Sequence, residues 1–109
     1  MHELGITQSI VDACSAEANG ARVGRVTVEI GRLCGVLPDA VRFCYEVCAQ
    51  GTPLEGSTLE ILQTSGRARC LDCGSEMTID DWLSLCDCGS ANLERSGGDE
   101  LQIKAMEVW

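Results

Sequence analysis

The chain has 109 residues, 45% of them hydrophobic, with eight cysteines and a formal net charge of -9, enough for one domain with a modest core, near the size at which a bound metal helps appreciably. The charge argues against nucleic acid and against anionic membrane as partners, since both require a cationic face. No apolar run approaches the roughly 20 residues that cross a bilayer, and Met1-His2-Glu3-Leu4 carries no leader pattern, so the cysteines read as reduced thiols of a cytoplasmic protein rather than as a disulfide scaffold.

From Glu3 to Ala18 there is no Pro and, after Gly5, no Gly. Ile6, Ile10, Ala13 and Cys14, with Leu4 and Val11 beside them, recur at helical spacing, and Asn19-Gly20 supplies the stop. Arg25 to Arg32 alternates, with Val26, Val28 and Ile30 on one face, which is the period of a half-buried strand. Gly31 marks its end or a close backbone approach. Pro38 suits a first helical turn, and Asp39 to Gln50 places Val41, Cys44, Val47 and Cys48 on one stripe. Thr58 to Gln63 reads as a second strand with Leu59 and Ile61 facing the same way. A cysteine-bearing segment follows, then a Gly97-Gly98 break and a last strand over Leu101 to Val108.

This order predicts an α+β fold: two helices packed on a small three-stranded sheet, with an inserted four-Cys, zinc-ribbon-like module. Residues 1–65 plus 97–109 form the sheet-and-helix body, and residues 66–96 form the insertion. Cys14, Cys34, Cys44 and Cys48 lie outside the module and read as core, where free Cys is common.

Within the module the pattern is Cys70-Leu71-Asp72-Cys73-Gly74, eleven further residues, then Cys86-Asp87-Cys88-Gly89. In a knuckle a tight turn lets two thiolates converge on one ion, and the following Gly accepts a left-handed conformation. Two knuckles give a tetrahedral set, although the second has one intervening residue where two are usual, a spacing expected to carry strain. Zinc is the leading reading, with iron in a rubredoxin-like site and a redox dithiol as alternatives. Four thiolates leave no open position, so the ion is structural. Trp82 is expected to cap the knuckles as part of a small core.

His2 is the only histidine. A free α-amine, the amide nitrogen of His2 and its imidazole can close a chelate, and square-planar nitrogen ligation favours nickel(II) or copper(II) over zinc. A surface histidine at a frayed terminus with no role is the plainer alternative.

The opening Met-His-Glu, the stretch Ile30-Gly31-Arg32-Leu33-Cys34-Gly35-Val36, the segment Val41-Arg42-Phe43-Cys44-Tyr45-Glu46, the knuckles and the ending Glu100-Leu101-Gln102-Ile103 together resemble the HypA/HybF nickel metallochaperones of hydrogenase maturation. The resemblance spans almost the whole chain. It implies nickel(II) as transient cargo bound by the amine of Met1, the backbone and imidazole of His2 and the backbone nitrogen of Glu3, with structural zinc on Cys70, Cys73, Cys86 and Cys88. It further implies delivery to the large subunit of nickel-iron hydrogenase together with a HypB-type GTPase, and in some members service to urease maturation. Two departures stand out: Cys86-Asp87-Cys88 replaces the family's Cys-x-x-Cys, and Leu37-Pro38 stands where an acidic residue often precedes the proline, leaving Asp39 as the nearest carboxylate. Glu3 either offers nickel an oxygen or favours the N-terminus of the first helix through the dipole. No nucleophile or phosphate loop stands in a recognisable context, so the chain reads as no enzyme. The rival function is a zinc-ribbon interaction or regulatory module without nickel transfer.

Overall fold

The computed structural model describes residues 2–109. Its elements run α1 (Glu3–Ala18), β1 (Val23–Gly31), α2 (Pro38–Ala49), β2 (Thr58–Thr64), β3 (Gly66–Cys70), β4 (Glu76–Ile79), β5 (Leu93–Ser96) and β6 (Leu101–Val108). The strands form two three-stranded sheets, ordered β2-β1-β6 and β4-β3-β5. The expected α+β class and four-cysteine module are present; the second sheet, inside the module, was not legible from the sequence. Contacts divide the chain into two compact units, one of Met1–Glu29, Val36–Leu62 and Gln102–Trp109, the other of Ile30–Gly35 and Gln63–Leu101.

In the first unit α1 buries Glu3, Thr7, Ile10, Val11, Cys14 and Ala18, a stripe at helical spacing. Leu4, expected beside that stripe, is exposed. Thr7 takes its place and donates its hydroxyl to the Glu3 carbonyl at 2.5 Å, which satisfies the buried oxygen. Asn19 ends the helix in the left-handed region at φ 50°, as Asn does at a C-terminal stop. On α2 the buried stripe is Val41, Tyr45, Cys48 and Ala49. Tyr45 rather than Val47 turns inward, because its hydroxyl finds Ser57 Oγ at 2.6 Å, while Val47 is exposed and Cys44 half-buried. The two helices pack against each other, and Val26 and Val28 of β1 are wholly buried.

Sheet direction follows from hydrogen bonds at the strand ends. The Gly31 amide meets the Glu100 carbonyl and the Trp109 amide meets Arg22, which sets β6 antiparallel to β1. The Arg32 amide meets Thr64 and the Val23 amide meets Pro53, which sets β2 parallel to β1, with α2 as the crossover such a pair requires.

The second unit is built on β3, paired antiparallel with β4 (Arg69 opposite Glu76) and with β5 (Cys70 opposite Leu93). Alternation puts Ala68, Cys70, Ile79 and Leu93 on the face that packs with Leu33 and Cys86, and leaves Arg67 and Arg69 exposed on the other. The glycine break at 97 and 98 is also a close packing point. A Cβ on Gly98 (φ 76°) would lie 2.5 Å from the Gly66 backbone, and one on Gly31 would collide with the Gly98 oxygen. No helix among the described residues is long and apolar enough to cross a membrane.

Candidate metal centre

Each cysteine pair is set by a short closed turn. In the first, the Cys70 amide donates to the Ser75 carbonyl (2.8 Å) and the Gly74 amide to the Cys70 carbonyl (2.9 Å). In the second, the Cys86 amide donates to Ser90 (3.0 Å) and the Gly89 amide to Cys86 (2.8 Å). The two patterns match with one residue removed. Gly74 and Gly89 both take positive φ, 79° and 89°, where a side chain would be strained. The shortened spacing is thus met by a tighter turn that closes with the same two kinds of bond. Two further links hold the knuckles to each other: the Ser90 hydroxyl donates to the Asp72 carboxylate, and the Leu71 amide to Asn92 at 2.9 Å.

The turns bring Cys70, Cys73, Cys86 and Cys88 together, all four sulfurs lying within 4.8 Å of one another. Cys70 and Cys88 Sγ are 3.7 Å apart, and Cys73 and Cys86 Sγ 3.5 Å. A tetrahedral ion with metal–sulfur bonds of about 2.3 Å requires sulfur–sulfur edges of about 3.8 Å. The donor set therefore fits a tetrahedral, thiophilic ion. Cys70 and Cys86 are buried while Cys73 and Cys88 reach the surface, an arrangement that closes the centre on one side only.

The thiols do not ionise alike. Ser75, through its hydroxyl and its amide, holds Cys73 down to about 6, and the Cys73 amide lowers Cys70. At Cys86 the Cys88 amide favours the thiolate, but burial and the neighbouring sulfurs outweigh it and push the thiol up to about 12. Cys88 is raised although the Ser90 amide and Cys86 oppose the rise, because Cys70, Cys73 and partial burial outweigh them. Some of the four ionise readily and the rest resist, because close-packed sulfurs oppose one another's charge; a bound cation draws all four to the thiolate.

The other expected site lies at the start of α1. Met1 is outside the described residues. His2 is exposed and occupies the N-cap position without a side-chain cap, its carbonyl accepting the Ile6 amide at 2.9 Å. Glu3 is buried at 8% exposure. Its carboxylate Oε2 accepts the Leu37 amide at 3.2 Å, and its carbonyl accepts Thr7. Beyond favouring the helix dipole, Glu3 thus ties the first turn of α1 to the start of α2. Sequence spacing could not find Leu37, which is 34 positions away. Asp39 is exposed in the first turn of α2.

Trp82 departs from expectation. It is 55% exposed and does not belong to the small core under the knuckles, because its indole N–H is directed to the Leu33 carbonyl at 3.0 Å. Cys14 and Cys48 are buried as expected, and Cys34 and Cys44 are half-buried.

Comparison with known proteins adds three findings. The family model described as hydrogenase/urease nickel incorporation, metallochaperone, hypA, matches residues 1–108. A hydrogenase maturation factor HypA of Nostoc punctiforme is 51% identical over 108 residues, 99% of this chain and 96% of that protein, and one of Geobacter metallireducens is 45% identical over 99% of both. The solution structure of the Ni metallochaperone HypA from Helicobacter pylori superposes with a TM-score of 0.65 at 23% identity, covering 99% of this chain and 97% of that one, a likeness of fold.

Proposed function

The chain belongs to the HypA family of hydrogenase/urease nickel-incorporation metallochaperones, and from that premise we propose that it binds nickel(II) at its N-terminus and hands it on during maturation of nickel-iron hydrogenase. The ligands are the amine of Met1, the amide nitrogen and imidazole of His2 and the amide nitrogen of Glu3. Nitrogen donors in a plane suit nickel(II). The cytoplasm is the setting, and a HypB-type GTPase and the hydrogenase large subunit are the protein partners; urease maturation proteins are further clients.

One observation carries the reading: His2 is exposed at the very start of a helix whose first turn is fixed from behind by the buried Glu3 carboxylate. The opening turn of a helix carries N–H groups that its own ladder does not use, so ligation there does not break the helix. The imidazole stands open to solvent, and a client's ligands can displace the protein's donors one after another. Residues 1–65 and 97–109 serve this cargo site, while residues 66–96 hold zinc on Cys70, Cys73, Cys86 and Cys88. Zinc in that set keeps the fold of the module, and the four thiolates leave no position for substrate.

The proposal is tested by metal analysis and nickel titration of untagged protein. His2→Ala is expected to lose high-affinity nickel binding while retaining one zinc per chain. Equal nickel affinity in variant and parent would overturn the proposal. Binding is also expected to weaken on acidification, because protons compete with the metal for the amine and imidazole nitrogens.

A further inference from the structure

The turn from Asp80 to Leu85 holds the largest run of apolar side chains left in water within the second unit. Leu83 is 88% exposed, Leu85 57% and Trp82 55%. None of them belongs to the core of that unit, which is made by Leu33, Ala68, Cys70, Ile79, Cys86 and Leu93. Scattered exposed apolar residues are ordinary, but a contiguous group marks a contact surface.

This turn is held in place. The Trp82 indole is anchored on the Leu33 carbonyl, and the Arg95 guanidinium lies 5.9 Å from the ring centroid and reaches the Trp82 carbonyl at 3.5 Å. Asp81 Oδ1 accepts both the Leu83 amide (2.8 Å) and the Ser84 hydroxyl (3.1 Å). Asp80 receives Ser65 Oγ at 2.6 Å and lies 3.6 Å from Arg32. Leu83 is therefore presented on a backbone already fixed, and ordering it on association costs little.

Charge selects the occupant. Asp80 and Arg32 pair with each other and Arg95 lies over Trp82, which leaves Asp81 and Asp87, both exposed and close to the leucines in the chain, as the charges at the turn without a cation partner among these groups. A second copy of this chain, at net charge -9, would bring like charge to like. We propose that Leu83, Leu85 and the exposed edge of Trp82 form a preformed docking knob for a partner protein carrying an apolar pocket rimmed by Lys and Arg. The proposal rests on the nickel-delivery reading in one respect: that reading supplies the partner to be tested, the hydrogenase large-subunit precursor.

The experiment measures binding of purified precursor to the zinc-loaded full chain without nickel, so that it is independent of the cargo site. Leu83→Ser is expected to weaken binding about 10-fold and Leu83→Ser with Leu85→Ser about 100-fold, from the apolar area lost. Leu83→Met should restore most of the affinity, and association should slow as salt rises. Zinc content and the thermal midpoint should stay at parent values, since both leucines are exposed. Equal affinity in parent and double variant, no binding by the parent, or self-association through position 83 would each overturn the knob. Failure of the nickel proposal would show separately, in the His2→Ala titration.

Discussion

Glu3 shows how much one side chain can fix. Its carboxylate receives the Leu37 amide and its carbonyl receives Thr7, so the residue beside His2 is held from two sides. Glu3→Ala is expected to lower the thermal midpoint and to weaken nickel binding while leaving zinc unchanged, and Glu3→Gln, which keeps an acceptor for Leu37, to recover most of both. Calorimetry with parallel nickel titration distinguishes the two variants. The sequence made Glu3 legible as an acidic residue in a first turn, a position that favours it through the helix dipole. It could not reveal Leu37, because a partner 34 positions away is a product of the fold. Val47 is the converse case. Periodicity placed it on the buried stripe, but Tyr45 has a partner for its hydroxyl in Ser57 and a larger apolar body, and takes the inward place.

At the scale of elements, both helices and the three strands of the first sheet were legible because each carries its own period over a long enough run. The strands β3, β4 and β5 have four or five residues each and alternate too briefly to stand out beside the cysteines. The glycine pair at 97 and 98 was visible as a break, yet its main constraint is the approach of three backbones, those of Gly31, Gly66 and Gly98. Gly98→Ala would meet both a left-handed φ and a 2.5 Å clash with Gly66. The expected cost is about 3 kcal/mol, measured by chemical denaturation of the zinc-loaded protein. A change below a few tenths would show that the backbone yields there.

For the whole molecule, the two units differ in what holds them. The first has an apolar interior of two helices and a sheet. Among the described residues the second has a core of six, two of which, Cys70 and Cys86, belong to the four-cysteine cluster. Chelation of zinc is therefore expected to abolish amide protection in β3, β4 and β5 while α1 and α2 stay protected in hydrogen exchange. The first unit has its own pH limit. Burial raises the thiols of Cys14 and Cys48 above the ordinary value of 9.0, so the unfolded chain ionises them before the folded chain does. Stability is full below about pH 9 and is lost as pH rises through the raised folded values. Replacing both by Ala should shrink that alkaline limb in pH-dependent denaturation and leave the part contributed by Tyr45, whose hydroxyl burial also raises. The four-cysteine cluster was legible because ligand spacing is a local code. The thiol differences within it were not, since they depend on Ser75 and on sulfurs from the opposite knuckle.

The sheet order β2-β1-β6 also fixes a sequence of events in time. Strand β1 is central, and one of its edges is filled by β6, the strand made after all the others. During synthesis α1, β1, α2 and β2 can gather as a βαβ half early, but β1 keeps an open edge until Val108 emerges, and by then all four cysteines have already left the ribosome. Ion capture by the knuckles can thus precede closure of the sheet, and an unfilled edge is a place where another strand can pair by mistake.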